Sequence, residues 1–440
     1  MIIQNYFSLV NISLVDGNGG ELKKNTAIVV KNGLISSVAG MESYRRPDGA
    51  QEIDLDGYYV MPGLIDAHVH LSGGRGDAEY QEIGVMAEPK LLRAMRSVYE
   101  AQELLKRGFT SCRDISWNGL YLKRLFFEQI IPGPKVIACG PGLSRTGGHV
   151  DLYQYTVDYN NENGFWGILA DGKEEIIKAV RLVLREGADQ VKIWASGGDN
   201  WPHDRNTDVH YSLEELCACV EEAHRQKGTL VASHAENLEA IKMSVEAGAD
   251  TIEHGEDLNE EVAEKMRDKG VILVPTLELI VNWYKDFIPT GDESFKKARP
   301  DAFLYRDLYG KDQDMIGEQY CRQAKDSFRL ALEKDVKIAL GSDTVYEPLT
   351  KYGEYSAREF KALVDCGMTV NQAITAATKT AAEALGMGHA IGTVEAGKAA
   401  DLLVVKKDPT AAADVLYDPS NIFMTFCDGK LTVEDGRFAY

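Results

Sequence analysis

The alternation of short apolar runs with amphipathic stretches through the middle of the chain most constrains its fold. Helical stretches such as KLLRAMRSVYEAQELLKRG and KEEIIKAVRLVLREG separate eight strand-like runs. The eight runs are, in order, GLIDAHVHL, TSCRDI, KVIACG, QVKIWA, LVASHA, TIEHG, ILVPT and KIALGSD. Eight β-α units over roughly 300 residues predict an α/β fold of the (β/α)8 TIM barrel type. An open α/β sheet is the alternative, although no G-x-G-x-x-G nucleotide fingerprint follows the first run.

Both ends of the chain differ from this middle region, because short β-like runs there lie between Gly, Asn and Asp turn signals. Examples are LVNISLV near the start and DLLVVKKD near the end. Neither end is long enough to build a core alone, so we expect the two to combine into one small β-sandwich domain. The predicted domains are residues 1–57 and 389–440 for the two parts of the β-sandwich and residues 58–388 for the barrel.

Charge and cysteine usage exclude several classes of protein. The formal net charge of −20 argues against sequence-independent nucleic-acid binding, which needs a basic surface. The seven cysteines are scattered and include no C-x-x-C pair, which predicts reduced thiols. No segment approaches the roughly 20 continuous apolar residues of a spanning helix, and the start lacks the features of a signal peptide. We therefore expect a cytoplasmic protein without a membrane partner.

Six polar residues interrupt the predicted strands at or near their C-terminal ends, where the active site of a (β/α)8 barrel lies. They are His68, His70, Lys192, His234, His254 and Asp343. Two-residue spacing sends His68 and His70 to the same side of a strand, and neutral imidazole is a favoured zinc ligand. Each histidine alone would more often be structural. Four imidazoles and a carboxylate on one barrel face together predict a metal centre.

The other histidines and a cysteine pair fall outside this pattern. We expect His203, His210, His224 and His389 to be surface or capping residues, because they lie in predicted loops, a helix or the terminal linker. Cys217 and Cys219 are two apart on a predicted helix and do not share a face.

Lys192 is the least expected member of the set, because an ammonium ion beside divalent cations would be repelled. Desolvation and nearby positive charge lower the pKa of a lysine and favour its neutral amine. A neutral amine beside metal ions can take up CO2 and become a carbamate, whose two oxygens can bridge two metals. The alternative is a strand-end lysine paired with an Asp or Glu.

Several of these segments resemble the amidohydrolase superfamily of metal-dependent hydrolases in order and spacing, over essentially the whole chain. The segments are MPGLIDAHVHL, VKIWASGG, VASHAEN, TIEHG, LGSDT and GTVEAGKAADLLVV. Within it, the chain is most similar to the imidazolonepropionase-like branch of prolidase-like dipeptidases, Xaa-Arg/Lys carboxypeptidase-type enzymes and ochratoxin-hydrolysing amidases. The resemblance implies two divalent metal ions, with zinc expected. His68 and His70 would hold the more buried ion with Asp343, His234 and His254 the more exposed one, and carboxylated Lys192 would bridge both.

Three residues are candidates for catalysis. Asp343 is placed to take a proton from the metal-bridging water and pass it to the leaving amine, although it is also a candidate helix N-cap. The TGGH segment resembles one that supplies a histidine to the substrate, so His149 is a candidate substrate or oxyanion contact, against a loop-structuring role. Tyr211 resembles a family tyrosine that can reach the carbonyl or the substrate carboxylate; the alternative is a packing residue before a Ser212–Glu215 capping box.

The expected reaction is hydrolysis of an amide bond in a dipeptide or N-acyl amino acid, with a cyclic amide or an N-acyl xenobiotic as the alternative substrate. The bridging lysine argues against the superfamily's deaminases, and the full ligand set argues against a barrel used only for binding. Arg145 and Arg205 are candidates for a substrate carboxylate. Asp199 and Asp204 could select a basic side chain, with surface solvation preferred. The long segment after strand seven could form a lid or an oligomer contact, and we expect a homo-oligomer.

Overall fold

The computed structural model describes residues 3–75, 81–164, 166–198, 204–281, 313–346 and 350–439. Asp199, His203 and most of the long segment after strand seven lie outside the described residues. The strands are β1 Tyr6–Leu14, β2 Lys23–Lys31, β3 Leu34–Gly40, β4 Gln51–Asp54, β5 Tyr59–Pro62, β6 Leu64–Val69, β7 Phe109–Asp114, β8 Lys135–Ala138, β9 Gly142–Ser144, β10 Gly167–Leu169, β11 Val191–Trp194, β12 Val231–Ala235, β13 Thr251–His254, β14 Ile272–Val274, β15 Leu402–Val405, β16 Ile422–Cys427, β17 Lys430–Glu434 and β18 Arg437–Phe438.

The helices mostly alternate with the central strands, as the sequence pattern predicts. They are α1 Gln81–Ala87, α2 Lys90–Lys106, α3 Trp117–Phe127, α4 Val157–Asn163, α5 Gly172–Arg185, α6 Leu213–Arg225, α7 Leu238–Ala247, α8 Glu260–Lys269, α9 Leu277–Val281, α10 Gln313–Glu333, α11 Glu354–Asp365, α12 Val370–Thr375, α13 Ala381–Ala384 and α14 Asp414–Tyr417. A π-helical turn, Ala376–Thr380, links α12 to α13, and a 3-10 turn, Pro419–Asn421, follows α14.

The two ends of the chain form one nine-stranded sheet. The strand order is β18-β17-β16-β15-β5-β1-β2-β3, and β4 also pairs with β1. β5 joins the two ends because it pairs with β1 in parallel and with β15 in antiparallel orientation. Apolar side chains from both ends share one cluster, in which Phe7 stacks on Phe426 at a ring-centroid distance of 5.5 Å. The expected union of the two ends into one β-structure is therefore present, while the domain boundaries remain a prediction.

The central region contains two parallel sheets, one with the order β10-β9-β11-β12-β13-β14 and one with the order β6-β7-β8. Backbone contacts connect the two sheets. Asp189 N donates to Ala138 O at 2.7 Å, which joins the start of β11 to β8. Segment 337–344 lies between the edge strands β14 and β6 through isolated parallel bridges, Leu273 with Ile338 and Val69 with Thr344. The predicted α/β fold with parallel strands is thus confirmed.

Local sequence signals explain where the helices around these strands begin and end. Ser212 and Glu215 form the predicted capping box at the start of α6. Asn237 and Asn259 accept backbone hydrogen bonds at the starts of α7 and α8, and both helices end at a left-handed glycine. Among the described residues, no helix has both the length and the apolar character needed to cross a bilayer.

Candidate metal centre

Among the residues that the structure describes, His68, His70 and Asp343 form a compact group of metal-ligand side chains. Their candidate ligand atoms all lie within 4.8 Å of one another. His70 Nε2 is 3.0 Å from Asp343 Oδ1, and His68 Nε2 is 3.3 Å from His70 Nε2. Two nitrogens and one carboxylate oxygen at this spacing suit a divalent ion such as zinc. The structure therefore brings together the three residues that the resemblance assigns to one metal.

Backbone contacts fix this group. Asp343 N donates to the carbonyl of His68 at 2.8 Å. The buried Asp66 carboxylate accepts from the backbone N–H groups of both His68 and Ser342, at 3.1 and 3.0 Å, and so ties β6 to the segment that carries Asp343. His70 Nδ1 lies 2.9 Å from the carbonyl of Ile115, which suits donation from Nδ1–H and leaves Nε2 to face the metal position.

His234 and His254 continue the cluster from the ends of β12 and β13. Their ring centroids are 4.4 Å apart, and the His254 ring is 5.4 Å from that of His68. His254 Nδ1 is 2.8 Å from Thr276 Oγ1, which orients the ring. The four imidazoles, predicted on three different strands, thus lie in one continuous group.

Burial sets the protonation of these rings. Burial lowers the pKa of His254 to about 3, and it lowers the pKa of His68 and His234 well below the ordinary histidine value. Burial alone would raise the pKa of Asp343, but a hydrogen bond from His70 and its charge bring that pKa below the usual value. At neutral pH the site therefore offers neutral imidazoles at His68, His234 and His254 and an ionised carboxylate at Asp343, which are the forms that bind a metal.

Two of the ligand residues adopt an unusual backbone conformation. His254 has φ +69° and Asp343 has φ +55°, in the left-handed region that most side chains avoid. Such a conformation costs on the order of 1 kcal/mol and persists only where surrounding contacts hold it. Its presence at these two candidate ligands fits a site whose side-chain directions matter more than local backbone stability.

Lys192 lies in the middle of β11 and is completely buried. Its Nζ makes an ion pair with Glu253 Oε2. Burial, followed by the positive charge of Arg113, lowers the pKa of the lysine well below its ordinary value. The unmodified side chain thus has the carboxylate partner of the alternative interpretation. It also has the depressed pKa that carboxylation by CO2 requires.

Sequence reasoning missed two buried charges beneath this cluster, Arg113 and Glu253. Arg113 Nε donates to the carbonyl of Ala67 at 2.7 Å, and its Nη2 pairs with Glu253 Oε1. Glu253 Oε2 also lies 3.3 Å from His68 Nδ1. The signal was present, because Arg113 and Glu253 each interrupt an apolar run, but neither stands at the tip of its strand.

His149 lies beside the metal-ligand cluster, as its predicted role requires. Its ring centroid is 4.5 Å from that of His234, and its Nδ1 is 2.7 Å from Asp204 Oδ2. Two expectations nearby were wrong. Asp204 is buried rather than solvated, and His210, expected at the surface, is 6% exposed with Nε2 3.6 Å from Asp204 Oδ1. Burial lowers the pKa of His210 to about 4.

The remaining candidates have local partners. Tyr211 is buried in the hydrophobic core and its hydroxyl donates to the carbonyl of Ala170 at 3.0 Å, which favours the packing alternative; its substrate role remains a prediction. Arg145 donates to the carbonyl of Thr146, and Arg205 donates to Asp208. His224 and His389 are exposed, as expected.

The parallel α/β fold and the buried group of imidazoles and a carboxylate define a protein with a candidate metal centre, and comparisons with known proteins identify its class as a hydrolase that acts on carbon–nitrogen bonds. The chain belongs to the amidohydrolase family, whose model matches residues 59–432. Members of this family typically use divalent metal ions, so the donor set fits the chemistry of the family. The predicted resemblance is thereby confirmed.

Individual relatives fall in the predicted branch. The chain is 30% identical over 441 residues to ochratoxinase from Aspergillus niger, covering 95% of this chain and 85% of that protein. The crystal structure of A. niger ochratoxinase superposes with a TM-score of 0.84 at 27% identity, covering 98% of this chain and 96% of that one. A prolidase solved with N-methylphosphonate-L-proline has a TM-score of 0.82 at 28% identity, covering 98% of this chain and 100% of that one.

Proposed function

We propose that this protein is a binuclear metal-dependent amidohydrolase that cleaves the amide bond of a dipeptide or an N-acyl amino acid. The observation that carries the proposal is the convergence of four imidazoles and the Asp343 carboxylate, from four separate segments, around the neutral-tending amine of Lys192. A purely structural role would not require burial to keep three of these histidines neutral while neighbouring groups keep Asp343 ionised, whereas metal binding requires both.

The residues divide into two sets of ligands with one bridge. His68, His70 and Asp343 would hold one ion, His234 and His254 would hold the other, and a carbamate on Lys192 would bridge them. Bound there, two divalent ions would lower the pKa of a bridging water and polarise the scissile carbonyl. Asp343, ionised at neutral pH, accepts the proton of the attacking water and returns it to the leaving amine. The products are a carboxylic acid and an amine.

The substrate class rests on His149 and on the relatives. His149 lies against His234, where it can contact the carbonyl or the carboxylate of a bound amide. The relatives named as ochratoxinase and prolidase are similar over nearly the whole chain. Together they favour a substrate that releases a free amino acid, including ochratoxin-like N-acyl amino acids.

We also propose that the parallel strands close into a barrel. The links between β8 and β11, and through segment 337–344 between β14 and β6, support a closed (β/α)8 barrel with the ligands at its C-terminal mouth.

An exposed apolar face of α2 supports association with a second copy of the chain. Leu91, Met95 and Tyr99 lie on this face and are 70, 62 and 52% exposed. Light scattering should give a larger mass for the wild-type protein than for Met95→Glu.

A substrate screen combined with metal analysis tests the function. Purified enzyme is incubated with a library of dipeptides, N-acyl amino acids and cyclic amides, and bound metals are counted by mass spectrometry. We expect two divalent ions per chain and turnover of a linear amide. Turnover of cyclic amides alone would replace the substrate class, and a native protein without bound metal would overturn the proposal.

A further inference from the structure

The contact between His149 and Asp204 joins two loops beside the metal centre. His149 follows β9, whereas Asp204 belongs to the segment that follows β11, the strand of Lys192. Asp204 Oδ2 lies 2.7 Å from His149 Nδ1, and the backbone N–H of Gly198 donates to the same oxygen at 3.3 Å. Asp204 is only 1% exposed, so this bond is shielded from water and strengthened by the low local dielectric.

The neighbours of His149 leave its ring little freedom. On one side the ring lies 4.5 Å from the ring of His234, and the Trp194 ring is 6.2 Å away. On another side the backbone of Gly198 approaches so closely that a Cβ there would lie 2.4 Å from His149 Cε1. The glycine is therefore required by this close approach. The ring of His149 therefore occupies a slot formed by the ring of His234, the backbone of Gly198 and the carboxylate of Asp204.

The bond also selects the protonated nitrogen of His149. An ionised carboxylate accepts hydrogen bonds but does not donate them, so Nδ1 must carry the proton that it shares with Asp204. Nε2 is then the ring nitrogen that can meet a substrate. A carboxylate that orients a histidine in this way acts through the histidine rather than by touching the substrate.

We infer that Asp204 is a positioning residue, which fixes the ring and the tautomer of His149 for contact with the bound amide. The inference rests on the proposed function, because it concerns the same site. It replaces the idea that Asp204 selects a basic substrate side chain. His149 and Gly198 both contact Oδ2, while Oδ1 lies 3.6 Å from His210 Nε2. Because the side chain is only 1% exposed, a cationic substrate group could reach this carboxylate only by displacing the residues that bury it.

A double-mutant cycle tests the inference. Asp204→Asn conserves size but no longer dictates the tautomer, because its amide can both donate and accept. We expect this variant to keep its metal content and to lose about 10–100-fold in kcat/KM, as outer partners of site histidines usually do. The double variant Asp204→Asn with His149→Ala should be no worse than His149→Ala alone. If Asp204→Asn lowered kcat/KM by the same factor in the His149→Ala background as in the wild-type background, the inference would be overturned, because Asp204 would then act independently of His149.

A matched control exists at a distance from the site. His224 Nε2 and Asp250 Oδ2 form a partly exposed histidine–aspartate contact of 2.8 Å, and the same Asp250 oxygen accepts from the backbone N–H of Val231 at the start of β12. Asp250→Asn should leave kcat/KM unchanged, so a general effect of losing such a pair can be separated from the effect at Asp204. Asp204→Ser serves as a second variant if Asp204→Asn does not fold.

Nuclear magnetic resonance of the imidazole nitrogens provides a readout that does not need turnover. In the wild-type protein the His149 signals, assigned with His149→Ala, should show a proton fixed on Nδ1, and Asp204→Asn should shift the population towards Nε2–H. An unchanged spectrum would overturn the inference alone. A wild-type enzyme that hydrolyses no amide while showing the expected spectral change would instead overturn the proposed function.

Discussion

Replacing Lys192 by methionine should separate the fold from the metal chemistry. The two side chains have similar length and volume, and volume-conserving substitutions in a core usually cost less than about 1.5 kcal/mol. Glu253 keeps its second partner, Arg113, so the substitution does not strand a buried charge. Removing the amine of Lys192 also removes the free-energy cost of burying an ionisable group away from water. Because the folded pKa lies below the unfolded value, each pKa unit of lowering costs about 1.4 kcal/mol of stability until the folded pKa reaches the pH of the solution, and no more beyond that point. The metal-free variant should therefore be at least as stable as the metal-free wild type.

The metal-loaded enzyme should respond in the opposite way. Lys192→Met cannot form a carbamate, so the two metal positions lose their bridging anion and one ligand each. We expect the variant to retain at most one ion per chain. Loss of several kcal/mol of charge stabilisation in the transition state corresponds to a decrease in kcat of at least about a hundredfold.

Three measurements check this prediction. Metal content is determined after dialysis, kcat is measured with excess metal, and the carbamate is detected by magnetic resonance after growth with isotope-labelled bicarbonate. Lys135→Met is the matched control, since Lys135 lies on β8, another strand of the parallel sheets, and pairs with the buried Asp401 at 2.6 Å. The control should lose about 3 kcal/mol of stability but keep both ions. A Lys192→Met enzyme with two metals and full activity would refute the bridging role.

Three further predictions follow from the same geometry. Asp343→Asn, assayed with saturating metal, should lower kcat by about 10²–10⁴-fold, because it removes the proton acceptor; an unchanged kcat would assign that role elsewhere. Gly198→Ala should displace the His149 ring and lower kcat/KM while the melting temperature stays near that of the wild type, and equal activity would show that the slot is not tight. The folded pKa of His254, about 3, lies below the unfolded value near 6.5, so the unfolded chain binds the extra proton and acid destabilises the fold. Between about pH 7 and about pH 5, metal-free wild-type protein should lose about 2 kcal/mol more stability to urea than His254→Asn does, and equal losses would contradict the lowered pKa.

Much of the central fold could be predicted because its strands carry a strong local signal. Seven of the eight predicted runs contain a regular strand, whereas the eighth, KIALGSD, has one isolated bridge at Ile338 and is followed by another at Thr344. The short strands β9 and β10 were not predicted. Each has three residues, too few for a periodic pattern, and their pairing in parallel depends on a loop between them rather than on their own sequence.

The metal ligands could be predicted for a related reason. A histidine at the end of an apolar run is conspicuous, and the barrel hypothesis brings such ends together. Asp204 and His210 offered no comparable signal, because they lie in an irregular segment where burial depends on contacts with another loop. Asp204 contacts His149, which lies 55 positions earlier in the chain, and no local pattern around Asp204 predicts that contact.

The charges below the metal centre show most clearly what a single sequence leaves out. Arg113 and Glu253 are 140 positions apart, and each alone resembles a misplaced charge in a buried strand. Together they form a pair whose carboxylate lies 3.3 Å from His68 Nδ1 and also contacts Lys192. If Lys192 becomes a carbamate, its attraction to Glu253 turns into repulsion, so the carboxylate must rely on Arg113 and His68. The proton on His68 Nδ1 would then be held by Glu253, and His68 Nε2 would be the nitrogen that faces His70 and Asp343, as the proposed metal site requires.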